Sequence, residues 1–72
     1  MKKDPNATIE NNFTYHPPKG DQQARYEHIR TMGKSLAIAI EQFSPDSREK
    51  SLAMTKVEEA VMWANAAIAR NE

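Results

Sequence analysis

The chain has 72 residues, no cysteine and a formal net charge of zero, with ten basic and ten acidic side chains. A chain of this length forms at most one domain, near the size below which a hydrophobic core needs help from disulfides, a metal or a partner subunit. The lack of cysteine excludes disulfides and thiolate zinc sites, and neither His16 nor His28 has further ligands at metal-binding spacing. The composition therefore predicts no bound metal and favours self-association as the source of stability.

The balanced charge also narrows the class of partner. Proteins that hold DNA or RNA polymers present a surplus of basic groups, and this chain has none. A small anion with one to three phosphates suits it better. No apolar run approaches the length of a membrane span, and the first residues lack the apolar core of a signal peptide. We therefore expect a cytoplasmic protein without a membrane partner or a cofactor.

The N-terminal part contains two kinds of segment. Residues 1–12 are polar and aperiodic, which predicts a mobile arm. Residues 13–20, with the sequence FTYHPPKG, carry two aromatic side chains and a histidine beside a Pro-Pro pair that holds the backbone extended. Large side chains on an extended segment need a surface to lie against. The segment is either a strap over the hydrophobic end of the helices or one wall of a binding pocket.

Helix 1 is predicted over about residues 21–43, with Asp21 as the N-cap after Gly20. Its apolar positions step by 3-4-3-4-3, which is typical of a helix that pairs along a heptad seam: Tyr26, Ile29, Gly33, Leu36, Ile40 and Phe43. Gly33 disfavours helix, so its place in the seam predicts a close approach of the partner helix.

Helix 2 is predicted over about residues 46–70. Asp46 with Glu49 has the form of a capping box, and Ser44 before Pro45 is the alternative start. Its seam steps by 3-4-3-4: Met54, Val57, Val61, Ala64 and Ile68. A short link forces two long helices to run antiparallel. The fold expected is all-α, an antiparallel two-helix hairpin over residues 13–72.

A second apolar line on helix 2 lies off that seam and has no partner within a hairpin: Ala53, Ala60, Trp63 and Ala67. Small alanines allow another backbone to approach closely, and tryptophan is a frequent interface anchor. Such a face left open would promote aggregation. The line therefore predicts that hairpins assemble into a homo-oligomeric helical bundle.

No catalytic set is persuasive. Glu58 and Glu59 are adjacent on a helix, so their side chains diverge by about 100° and cannot share one site. His28 has Glu27 beside it but no nucleophile at a recognisable spacing. Phosphate-binding loops, metal motifs and nucleophile elbows are absent from the sequence. We predict no catalytic residues and no enzyme activity.

A binding site is more plausible. Tyr15 and His16 offer ring faces for stacking and groups for hydrogen bonding, while Arg30 and Lys34, four residues apart, share a helix face. Arginine presents a planar fork to phosphate, and lysine a mobile point charge. Stacking and paired cations are what a nucleotide requires. The alternative is that the two cations only solvate helix 1.

Three groups of residues carry a family resemblance: Phe13-x-Tyr15-His16-Pro17; Tyr26-x-x-Ile29-Arg30; and residues 47–70, which include Glu-Glu-Ala-Val-Met-Trp-Ala-Asn-Ala. The chain resembles the hairpin domain of phage sponges that counter two bacterial defences, CBASS and Thoeris. CBASS signals through cyclic oligonucleotides, and Thoeris through a cyclic ADP-ribose derivative. Because the Thoeris branch carries an additional domain, the anti-CBASS type is the closer match.

The resemblance implies a homohexamer whose pockets sequester cyclic nucleotides without degrading them. The family's base-stacking tyrosine and its basic phosphate contact fall on Tyr15 and Arg30. The family's basic residue is a lysine, so Arg30 is a departure and Lys34 is the substitute candidate. Family members also bind cyclic trinucleotides through arginines, for which Arg70 or Arg48 is available.

Two hypotheses of function follow. In the first, a phage protein binds cyclic di- or trinucleotides in the host bacterial cytosol and so blocks CBASS signalling. In the second, the protein is a structural or host-interaction module, and Trp63 docks on another protein without any small-molecule ligand.

Overall fold

The computed structural model describes residues 4–72, which form three α-helices and, within that range, no strand. The helices are α1 (Pro5–Phe13), α2 (Gln22–Phe43) and α3 (Arg48–Asn71). The two long helices pack on each other as the predicted antiparallel hairpin, with Arg25 of α2 reaching Glu72 at one end and Glu41 reaching Lys50 at the other. None of the three helices is long and apolar enough to cross a membrane.

Helix α1 occupies most of the predicted arm of residues 1–12, and it also includes Phe13, which was predicted to begin the extended segment. The cause is local. The Asp4 carboxylate accepts a hydrogen bond from the Asn6 N–H (3.2 Å), and Pro5 takes the first helical position, where its missing N–H costs nothing. These start signals outweigh the lack of an apolar period. Residues 1–3 of the arm lie outside the described residues, and its mobility stays a prediction.

The chain then runs without regular structure from Thr14 to Lys19, called here the extended segment. Gly20 turns it into α2 with a φ of +58°, a value that glycine adopts without strain. Asp21 occupies the predicted N-cap position, but its carboxylate pairs with Arg25 Nε at 3.2 Å instead of capping the helix. Gln22 Oε1 accepts a hydrogen bond from the Lys19 N–H (3.1 Å), which fixes the junction.

Helix α3 begins at Arg48, close to the predicted start, but neither Asp46 nor Ser44 is its cap. Ser47 is the N-cap, and its hydroxyl accepts a hydrogen bond from the Lys50 N–H at 3.1 Å. The Asp46 carboxylate is engaged elsewhere, because it pairs with Lys50 Nζ at 3.0 Å. The same ammonium lies 3.2 Å from Glu41, so one largely buried lysine holds the turn to α2.

Gly33 lies at the close approach of the two helices, as predicted. A Cβ built on it would overlap the Val61 side chain, so glycine is the residue that fits there. The hairpin nevertheless has no enclosed core of its own. Among residues 4–72 no hydrophobic side chain is fully buried, and the one buried residue is Gln22, which is 5 % exposed.

Candidate ligand-binding groove

An open groove of about 430 Å³, called here the end groove, lies where the extended segment meets the open end of the hairpin. Four of the five predicted ligand contacts line it, namely Tyr15, His16, Arg30 and Arg70. Lys34 does not. The other lining residues are Asn12, Thr14, Pro18, Tyr26, Asn65, Ala66 and Ala69. The structure thus brings together side chains that are far apart in the sequence, such as Tyr15 and Arg70.

Tyr15 stands on the extended segment with 80 % of its surface exposed. A ring in that position covers little hydrophobic surface within its own chain. Its faces are open to a planar partner, and the short side chains Ala66 and Ala69 line the same groove. The geometry suits stacking better than the burial that a strap requires.

His16 is half-buried and ties the extended segment to α1. Its Nε2 lies 2.9 Å from the Asn11 carbonyl oxygen, so Nε2 carries the proton and donates. The Asn11 side chain in turn donates through Nδ2 to the Arg70 carbonyl at 2.9 Å. These two hydrogen bonds connect extended segment, α1 and α3, and they set the shape of the groove wall.

The positive charges of the end groove come from both long helices. Arg30 of α2 is exposed and Arg70 of α3 is half-buried, and neither guanidinium pairs with a carboxylate of residues 4–72. Two unpaired forks on one groove favour an anionic ligand. Lys34 lies one turn beyond Arg30, on exposed surface outside the groove, and Arg48 lies at the opposite end of α3.

A polar cluster closes the hairpin beside the groove. Arg25 Nη1 donates to Glu72 Oε2 at 2.9 Å and Nη2 reaches Oε1, while Gln22 Nε2 donates to Oε1 at 3.2 Å. These hydrogen bonds, that from Arg25 foremost, lower the pKa of Glu72 to about 2, and the pKa of Arg25 rises above its ordinary value for the same reason. Lys19 Nζ also donates to the Glu72 carbonyl at 3.1 Å. The cluster fixes the end of α3 against α2.

Asn65 is the lining residue that the sequence gave least reason to single out. In the sequence it lies within the stretch that resembles the family, and in the structure it is one of the α3 residues that line the end groove. The available signal was an amide among alanines, five residues before Arg70 on the same helix.

The structure offers no candidate metal site among residues 4–72. No group of three or more His, Asp or Glu side chains in that range is placed to hold an ion.

The fold and the groove define a small helical-hairpin protein that gathers an aromatic ring and two arginines at one end. The chain belongs to the family described as the Acb2/Tad1 hairpin domain, whose model matches residues 5–69. This is the family of anti-CBASS and anti-Thoeris sponges, so the resemblance read from the sequence is confirmed. No curated protein and no solved structure matches the chain.

Proposed function

We propose that the protein binds and sequesters cyclic oligonucleotide second messengers without degrading them, and thereby blocks CBASS signalling. The observation that carries the proposal is the convergence of Tyr15, Arg30 and Arg70 on one open groove. Family membership supports the anti-defence role. Cyclic dinucleotides are the main ligand class, and cyclic trinucleotides a further one.

The groove offers what such a ligand needs. The Tyr15 ring gives a stacking face for a base, and the two arginines give forked, charge-assisted hydrogen bonds to phosphate. Its volume of about 430 Å³ lies in the usual range for small-molecule sites. Sequestration acts by mass action, so the mechanism requires affinity and abundance but no reacting group. The protein is accordingly proposed as a binding protein and not an enzyme.

The sponge is proposed to act as a homo-oligomer, with a hexamer as the number that the family resemblance implies. Two features of the single chain support assembly. Trp63 is 56 % exposed on α3. A second, apolar groove of about 510 Å³ runs between the two long helices and is lined by Ile29, Met32, Gly33, Leu36, Lys56, Val57, Ala60, Val61 and Ala64. Both leave apolar surface that further copies of the chain are proposed to cover.

The place of action follows from the proposed ligand. CBASS messengers are made in the cytosol of the infected bacterium, so a phage sponge would work there.

Titration of the purified protein with cyclic di- and trinucleotides tests the proposal. We expect saturable binding by calorimetry, and recovery of chemically intact ligand after the protein is denatured. Absence of binding to every member of the panel would favour the host-interaction module, in which the exposed Trp63 contacts another protein. Recovery of linear products would show catalysis and contradict sequestration.

A further inference from the structure

The extended segment that carries Tyr15 is held in place from both of its ends. On the C-terminal side, the Lys19 N–H donates to Oε1 of the buried Gln22 at 3.1 Å. On the N-terminal side, the His16 ring donates to the Asn11 carbonyl at 2.9 Å. A Pro-Pro pair with restricted backbone angles separates the two hydrogen bonds. Because Tyr15 precedes both prolines and adjoins His16, its place depends mainly on the bond to α1.

Helix α1 in turn is weakly attached to the two long helices. None of the side chains of Pro5–Phe13 is buried, and the apolar side chain of Ile9 is exposed. Within the described part of the chain, one hydrogen bond joins α1 to a long helix: Asn11 Nδ2 donates to the Arg70 carbonyl at 2.9 Å. That carbonyl lies in the last turn of α3, where carbonyl groups have no partner in their own helix. The position of α1 against α3 therefore depends on the Asn11 side chain.

We propose that Asn11 is a positioning residue, which places the Tyr15 ring for stacking without touching the ligand. The inference rests on the proposed function and adds a residue that acts on the same groove from outside, since Asn11 is not among the residues that line the end groove. Its side chain donates to α3 and its carbonyl accepts from His16, so one residue connects α3 to the segment that carries Tyr15. When the hydrogen bond to α3 is lost, α1 can move away from α3 and displace the ring.

The test compares the wild-type protein with Asn11→Ala, which removes the donor and leaves the backbone carbonyl in place. Alanine favours helix more than asparagine does, so melting of α1 would not explain a loss of binding. Asn6→Ala is the matched control, because Asn6 is an exposed asparagine on the same helix whose side chain makes no hydrogen bond with residues 4–72. Each protein is titrated with cyclic di-AMP, cyclic di-GMP and cyclic tri-AMP, and the tightest ligand of the wild type is used for the comparison.

We expect Asn11→Ala to bind that ligand about fivefold more weakly, the size expected when one neutral hydrogen bond is lost. The affinity falls because the ring is correctly placed in a smaller fraction of the molecules. Asn6→Ala should bind as the wild type does. The unliganded melting temperatures of both variants should stay close to that of the wild type, since neither change disturbs the packing of α2 on α3.

A double-mutant cycle with Tyr15→Ala separates positioning of the ring from any other effect of Asn11. If Asn11 acts through the ring, Asn11→Ala should weaken binding little further once the ring has been removed. An equal loss of affinity in both backgrounds would show that Asn11 acts by another route, and would overturn the inference while leaving the proposed function intact.

Two other results would also contradict the role of Asn11 alone. One is an affinity of Asn11→Ala equal to that of the wild type. The other is an unliganded melting temperature of Asn11→Ala far below that of Asn6→Ala, which would make Asn11 a folding residue. A wild-type protein that bound none of the three ligands would overturn the inference and the proposed function together.

Discussion

The ring of Tyr15 makes few contacts within its own chain, since Tyr15 is 80 % exposed and lies on a segment without regular structure. Replacing it with alanine should therefore leave the unliganded melting temperature nearly unchanged. If the ring stacks on a base, a contact worth about 1–3 kcal/mol, the variant should lose most of the stabilisation that a cyclic dinucleotide adds. Thermal melts with and without ligand measure both effects.

Tyr15→Phe is the matched control for that experiment, because stacking needs the ring more than the hydroxyl. It should keep most of the ligand-induced rise in melting temperature. A large drop for unliganded Tyr15→Ala, together with an undiminished ligand effect, would assign the ring to the fold.

Arg30 and Lys34 provide a second comparison at the residue scale. Both are exposed on α2, but only Arg30 lines the end groove. Arg30→Ala should weaken binding of a cyclic dinucleotide by about 2 kcal/mol, because it removes a charge-assisted hydrogen bond, and should leave the fold unchanged. Lys34→Ala should bind as the wild type does. Calorimetry that gave the reverse order would make Lys34 the phosphate contact.

At the scale of the helices, the contact between α2 and the end of α3 should depend on pH. The pKa of Glu72 falls from 4.5 to about 2 on folding, so its stabilising effect is fully present above pH 4.5 and is lost as the pH falls through about 2. Glu72→Gln should melt at a lower temperature than the wild type at pH 7, and this difference should shrink between pH 4.5 and pH 2. Melts over that range measure it.

Glu58→Gln is the control for the pH series, since Glu58 is exposed and makes no ion pair with residues 4–72. Its difference from the wild type should show no comparable change over the same interval. Parallel curves for Glu72→Gln and the wild type would mean that the Arg25 contact adds no stability in solution.

The two long helices were predictable because apolar residues repeat with a heptad period over some twenty positions. That period indicates a helix with one face packed on a partner, and it does not depend on where the helix begins or ends. Helix ends depend on single hydrogen bonds, and the two caps predicted from the sequence, Asp46 and Ser44, left out Ser47, whose hydroxyl has similar chemistry. The structure resolves that choice through Lys50, which draws the Asp46 carboxylate away and leaves Ser47 as the cap. Helix α1 was missed because its start signals act at Asp4 and Pro5, without a periodic face.

The candidate site could be predicted only in part, for a related reason. Residue type marked Tyr15, His16 and Arg30 as suited to a nucleotide, and the structure brings them together with Arg70. Asn65 was not predicted, because its distinguishing feature is that Oδ1 is buried without a hydrogen bond, and this is seen only once the helices have packed. Lys34 looked equivalent to Arg30 in the sequence, but their positions differ by about 6 Å along the helix axis.

For the whole molecule, the exposure of Trp63 and the absence of buried apolar side chains among residues 4–72 predict that the isolated hairpin is unstable. Light scattering at micromolar concentration should show a homo-oligomer and not an 8.2 kDa monomer. Trp63→Ala should dissociate or unfold the assembly, since loss of a buried tryptophan costs about 3–5 kcal/mol. Thr55→Ala, an exposed polar change on the same helix, should leave the assembly intact. A monodisperse, folded monomer would refute the prediction.

The attachment of α1 to the hairpin has a kinetic consequence. The helix is held through the hydrogen bonds of Asn11 to Arg70 and of His16 to Asn11, whereas α2 and α3 pack along their length. Segments with few contacts open at far lower free energy than the body of a fold. The amide hydrogens of α1 should therefore exchange with solvent faster than those in the middle of α2 and α3. Local opening of α1 and the overall stability of the hairpin then depend on different residues, and either can change without the other.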